Sequence, residues 1–274
     1  MNGDRLRELI KTPPRQRREG GGIRTLVIGL PIASILVSEG FLYVGFIGYV
    51  LLGHLVTLSL CAVLPLYFRS QSQPFLALAL LPLFRLVNLG MPVFVESPLY
   101  TFALLYVPLL PALLLIGVKH EAVAIRSRPA PTRVLAFLPL AVIVSFLLAE
   151  IEYSILHPEA LIPTLEWVHL LSLSVVMIGV VAVVEELLFR GILQRTLEDR
   201  LGPFSGLILT SVLFAAMHAS FGIPAEIAFA GGIGLLFGAI YDRTDRLSFV
   251  IIVHGLMNVF LFGVIPIRGS LLPL

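Results

Sequence analysis

The stretch EWVHLLSLSVVMIGVVAVVEELLFR, residues 166–190, decides how this chain is built. From Trp167 to Val184 it carries no Asp, Glu, Lys or Arg. Such a run approaches the roughly 20 apolar residues that an α-helix needs to cross a bilayer. It ends in two adjacent carboxylates, Glu185 and Glu186, with Arg190 one turn later and no other Lys or Arg back to Arg133. An ionised side chain at membrane depth costs on the order of 3 kcal/mol unless it is paired or shielded, and such residues mark function. The stretch therefore predicts a membrane helix, and it poses the question of what its two glutamates do.

Composition extends the first half of that reading to the whole chain. The 274 residues are 58% hydrophobic and 13% charged, with a mean hydropathy of +0.99; a soluble domain carries about 25% charged residues. Helical spans are predicted over 25–38, 41–67, 74–94, 98–118, 133–152, 166–190, 203–220, 225–241 and 247–266, with a turn at VSEGF, 37–41. The fold class is an all-α integral membrane protein, a polytopic bundle of about eight to nine transmembrane helices. Three regions follow: a basic tail, 1–24; N-terminal transmembrane helices, 25–152; and a membrane core, 160–266. The tail, with seven Lys and Arg against three acids, is read as a positive-inside signal and not as a nucleic-acid arm. Arg126, Arg128, Arg195, Arg200, Arg243 and Arg246 then fall on the cytoplasmic side, which nine crossings and a cytoplasmic N-terminus satisfy. The location is a cell membrane, multi-pass. Cys61, the single cysteine, reads as a packed residue.

Two further helices answer the glutamates. FAAMH places Phe214 and His218 on one helical face, and HGLMN does the same for His254 and Asn258. Gly202 and Pro203 mark a helix break. Glu185 lies 17 residues before Gly202 and His218 lies 16 after it. Each is thus about 25 Å from the turn at 1.5 Å per residue, at matching height on antiparallel neighbours. With 191–200 standing in the headgroup region, Glu185, His218, His254 and Asn258 are expected to converge in the cytoplasmic half of the membrane.

The two glutamates have different expected roles. Glu186 and Arg190 have the favourable i,i+4 order for a helical ion pair, so Glu186 reads as structural. Glu185 points about 100° away and has no cation nearby in sequence. A desolvated carboxylate beside histidines suits general-base work on a water, and an Asn amide offers a donor to an oxyanion. Glu39, Glu150 and Glu152 lie near predicted helix ends and read as interfacial. Arg85 and Asn88 read as bonded to backbone or Glu150, and His54 as a packed or interhelical residue. Ala230, Gly234 and Gly238 form a small-residue face for close helix approach.

EELLFRG, FAAMH and HGLMN, in this order and spacing, resemble the CPBP intramembrane proteases, which include the type II CAAX prenyl endopeptidases and bacteriocin-linked relatives. The resemblance covers about residues 160–266. It implies that Glu185 and His218 activate the attacking water, that His254 and Asn258 stabilise the oxyanion, and that Glu186, Arg190 and Phe214 support the site. It implies a membrane-anchored protein or peptide as substrate, prenylated or not, cut within or beside the bilayer. A zinc ion held by Glu185, His218 and His254 and a metal-free glutamate mechanism both remain open, with the second favoured. Two readings compete with hydrolysis. One is a non-catalytic scaffold or self-immunity protein of the same fold. The other is a proton-relaying transporter, against which the absence of duplicated halves counts.

Overall fold

The computed structural model describes residues 21–68, 72–91, 97–119 and 131–272. The basic tail up to residue 20 and the charged loop 120–130 lie outside the described residues. No strand occurs among the described residues, and nine helical rods follow one another. They are α1 (Gly21–Tyr43), α2 (Ile47–Tyr67), α3 (Ser72–Gly90), α4 (98–119, with a 3-10 turn at Val107–Leu109), α5 (Pro131–Leu156), α6 (Trp167–Leu201), α7 (Pro203–Met217), α8 (Pro224–Thr244) and α9 (Leu247–Arg268). Eight are long and apolar enough to cross a bilayer; the apolar part of the remaining one, α1, spans Val27–Tyr43. The chain is a polytopic membrane bundle.

The outer faces are as apolar as the interior. Leu115, Leu66 and Val175 point outward, and Trp167, Phe204 and Tyr67 stand exposed at helix ends, where aromatic rings favour the membrane interface. Polar side chains are instead drawn inward, among them Glu39, Arg85, Glu186, Arg190, Gln194 and Glu226. In hydrocarbon their partners must be other protein groups.

Several sequence expectations are corrected. VSEGF is helical, because α1 continues to Tyr43 and turns only at 44–46. Glu39 is therefore not interfacial: it is buried and takes two hydrogen bonds from Arg85, Nε and Nη2, at 2.9 Å each. Arg85 thus pairs with Glu39 and not with Glu150, whose carboxylate is held by Arg268, Ser270 and the Leu271 amide. His54 lies 3.2 Å from Glu39, and Cys61 is buried. Residues 191–200 continue the helix, as the expected rise of about 25 Å from Gly202 requires: α6 runs unbroken to Leu201, with π-helical stretches at Met177–Ala182 and Leu187–Gln194 on either side of Val183–Glu186. π-Helical interruptions of α-helices occur frequently at functional sites.

Close helix contacts bring the motif helices together. Gly238 lets α8 approach Leu207 and Gln194, whose atoms would stand 2.4 and 2.8 Å from an added Cβ. Gly255 does the same for α9 against α6, where an added Cβ would stand 2.6 Å from the Ile178 Cα. Backbone cannot swing aside as a side chain does, so Gly255→Ala must separate the two helices. We expect it to destabilise the fold by about 1–3 kcal/mol and to lower activity through its neighbour His254. A thermal melt of the purified variant in detergent checks this, and a wild-type melting temperature would contradict it. A hydrogen bond from Ser145 to the Val253 carbonyl, 2.8 Å, ties α9 to α5 one residue before His254.

Candidate active site

Glu185 and Glu186 sit in the short α-helical segment between the two π stretches, and their side chains diverge. Glu186 is fully buried, and one of its oxygens accepts both from Arg190 Nη1 at 2.9 Å and from His254 Nδ1 at 2.6 Å. Its role is thus wider than a pair with Arg190: it also fixes the imidazole of α9. Arg190 is 1% exposed. Its guanidinium lies 4.6 Å from the Phe214 ring centroid and 5.6 Å from that of Phe237, and Nη2 reaches the Gly234 carbonyl at 3.4 Å. Charge and aromatic faces together replace the water that a buried cation has lost.

Glu185 faces the other way, into a cavity of about 80 Å³ that His218, His254 and Asn258 also line. The cavity has room for several waters, each of which needs on the order of 10–15 Å³. Glu185 accepts a 2.5 Å hydrogen bond from the Tyr106 hydroxyl of α4, and its second oxygen lies 3.6 Å from His254 Nε2. His218 is held through Nδ1, 2.9 Å from the Phe214 carbonyl. A carbonyl only accepts, so Nδ1 carries the proton and a neutral His218 keeps a free Nε2 lone pair. Phe214 thus serves the site twice, with its ring on Arg190 and its carbonyl on His218. Asn258 lies one turn beyond His254, 7% exposed, and its amide makes no hydrogen bond among the described residues.

His218 follows the last residue of α7, and the 219–223 turn comes directly after it. The cavity therefore adjoins this turn and the start of α8, at the end of α7 away from Gly202. Glu185 and His218 stand at one level along α6 and α7, as their similar sequence distances from Gly202 require.

The sequence reading placed none of four lining or supporting residues, Tyr106, Arg85, Glu152 and Glu226, at the site. Tyr106 lies in an apolar segment that has no motif. Arg85 donates to the Met217 carbonyl at 2.6 Å, one residue before His218, and so ties α1 and α3 to the turn that carries this histidine. Glu152 and Glu226 both line the cavity, although Glu152 reads as interfacial in sequence. Tyr106→Phe removes the one hydroxyl bonded to Glu185 among the described residues. Hydrogen bonds to charged groups contribute about 1.5–3 kcal/mol, so turnover should fall by roughly tenfold to a hundredfold with the melting temperature little changed. A steady-state rate within twofold of wild type would remove Tyr106 from the site.

Among the described residues no group of three or more His, Cys, Asp or Glu side chains is arranged to hold a metal ion. His254 is held by Nδ1 on Glu186 and His218 by Nδ1 on a carbonyl, which leaves both Nε2 atoms unengaged, so it is the spacing of the set and not these bonds that keeps Glu185, His218 and His254 from forming a ligand triad among the described residues. No step is derived through a metal.

Residues 167–260 match the family model described as type II CAAX prenyl endopeptidase Rce1-like. The matched stretch contains all three motifs, and the resemblance drawn from them is borne out over it. No curated protein and no solved structure matches the chain.

Proposed function

We propose that this protein is an intramembrane endopeptidase that hydrolyses a peptide bond of a membrane-anchored protein or peptide with a water activated by Glu185. The observation that carries this reading is the shared cavity. One carboxylate with no cation at hydrogen-bond distance, one imidazole with a free nitrogen and one unbonded amide face the same small space, while a second carboxylate neutralises the local arginine behind it.

A water held between Glu185 and His218 Nε2 loses a proton to Glu185 as its oxygen adds to the scissile carbonyl carbon. The oxyanion that forms accepts from the Asn258 amide, with the His254 ring beside it. The contact between Glu186 and His254 Nδ1 fixes that ring, and Glu186 pairs with Arg190 behind it. When the C–N bond breaks, Glu185 returns the proton to the leaving amine. One new carboxyl and one new amine result, and the enzyme is regenerated. Tyr106 directs Glu185 throughout.

The location that goes with this reading is a cell membrane. Arg195 and Arg200 at the end of α6, and Arg243 and Arg246 between α8 and α9, stand on the cytoplasmic side, as does the N-terminus. Membrane-anchored peptides, with and without a prenyl group, should be incubated with wild-type protein in liposomes in water enriched in oxygen-18. Hydrolysis places one heavy oxygen in the new C-terminus, seen by mass spectrometry. Cleaved products without the label, or no cleavage of any anchored peptide, would count against the proposal.

A further inference from the structure

In the catalytic cluster Glu186 has Arg190 and His254 as partners, whereas a second acidic group on the same cavity has no donor. Glu226, in the first turn of α8, is fully buried, and neither of its carboxyl oxygens has a hydrogen-bond donor from protein among the described residues. The same holds for Oε2 of Glu152 on α5, which is 8% exposed. Both carboxyl groups line the same cavity as Glu185. Among the described residues no Lys or Arg lines the cavity. Arg85 is engaged by Glu39 and Arg190 by Glu186. Buried carboxyl oxygens without donors cost free energy until something supplies them. A group with several N–H donors and a positive charge supplies them best, whereas a free carboxylate would meet like charge.

We infer that Glu152 and Glu226 form a specificity subsite that takes a primary ammonium on an alkyl stem, the side chain of a lysine beside the scissile bond of the substrate. The inference rests on the peptidase reading for its word "scissile"; the binding itself does not depend on hydrolysis. It also predicts that an acidic group at that position is excluded. Phe221, Phe229 and Phe102 on the same wall accommodate the methylenes of the stem.

The test uses full-length protein in detergent free of aminophospholipid. Three fluorescent peptides are identical except for Lys, norleucine or Glu beside the cleaved bond, and binding is read by anisotropy. Wild type should bind the Lys peptide about tenfold more tightly than the norleucine peptide, the scale of one charged hydrogen bond, and the Glu peptide least. Glu226→Gln and Glu152→Gln should each bring the Lys-to-norleucine ratio close to one and leave norleucine binding unchanged. Equal wild-type affinity for Lys and norleucine overturns the inference whether or not the variants fold. A preference that survives in both folded variants overturns it too. If the ratio behaves as expected while no peptide is cut, the subsite stands and the peptidase reading fails.

Discussion

Glu186→Gln should lower the stability of the protein by about 3–5 kcal/mol, the scale on which removing one partner of a buried ion pair acts. Glu186 is fully buried, and one of its oxygens takes both the Arg190 guanidinium and the His254 imidazole. With a neutral amide there, Arg190 keeps only the Gly234 carbonyl and two aromatic faces for its charge. His254 exchanges a carboxylate acceptor for a neutral amide oxygen, which holds it less strongly. The double variant Glu186→Gln/Arg190→Met removes the stranded charge together with its partner and should recover much of the stability. It should not recover full activity, since the charged acceptor on His254 Nδ1 is still missing. Melts of the purified variants, followed by the fraction that stays monodisperse, measure the difference. A Glu186→Gln melt within about 2 °C of wild type would show that the pair does not hold the frame together.

Glu185→Gln should have the opposite profile. The glutamine carbonyl still accepts from Tyr106, and the remaining contact, His254 Nε2 at 3.6 Å, is too long to anchor the fold. The variant should therefore insert and melt like wild type. Its rate of hydrolysis should fall by at least about 10²–10⁴-fold, the contribution of a positioned general base. Equal and mild effects of the two substitutions would contradict the division of labour between the neighbouring glutamates.

The nine rods were legible because each long apolar run of a membrane helix is its own signal, independent of its neighbours. The site motifs were legible for a related reason: Glu185, His218 and His254 interrupt such runs, and i,i+4 spacing puts Glu186 beside Arg190 and His254 beside Asn258. What the sequence hid was pairing between distant helices. Tyr106 is 79 residues from Glu185, and Arg85 is 46 from Glu39 and 132 from Met217. A hydroxyl or guanidinium in an apolar run announces that it needs a partner, not which one. Glu39 was misread because SEG resembles a turn, although its burial on α1 makes it the counter-ion of Arg85. Glu226 sits just after the Gly222 turn, where an acid passes for an ordinary helix start. The π stretches around Glu185 leave no mark in residue type.

The measurement that bears most directly on the central claim is a single-turnover cleavage assay of wild type and Glu185→Gln, side by side in liposomes, on an anchored peptide that wild type cuts. Both proteins are first shown to melt alike, and each is run with and without a chelator. The account predicts product from wild type at the same rate in both lanes and essentially none from Glu185→Gln. Product from Glu185→Gln at a rate near that of wild type would contradict it, because the water would then be activated by some other group.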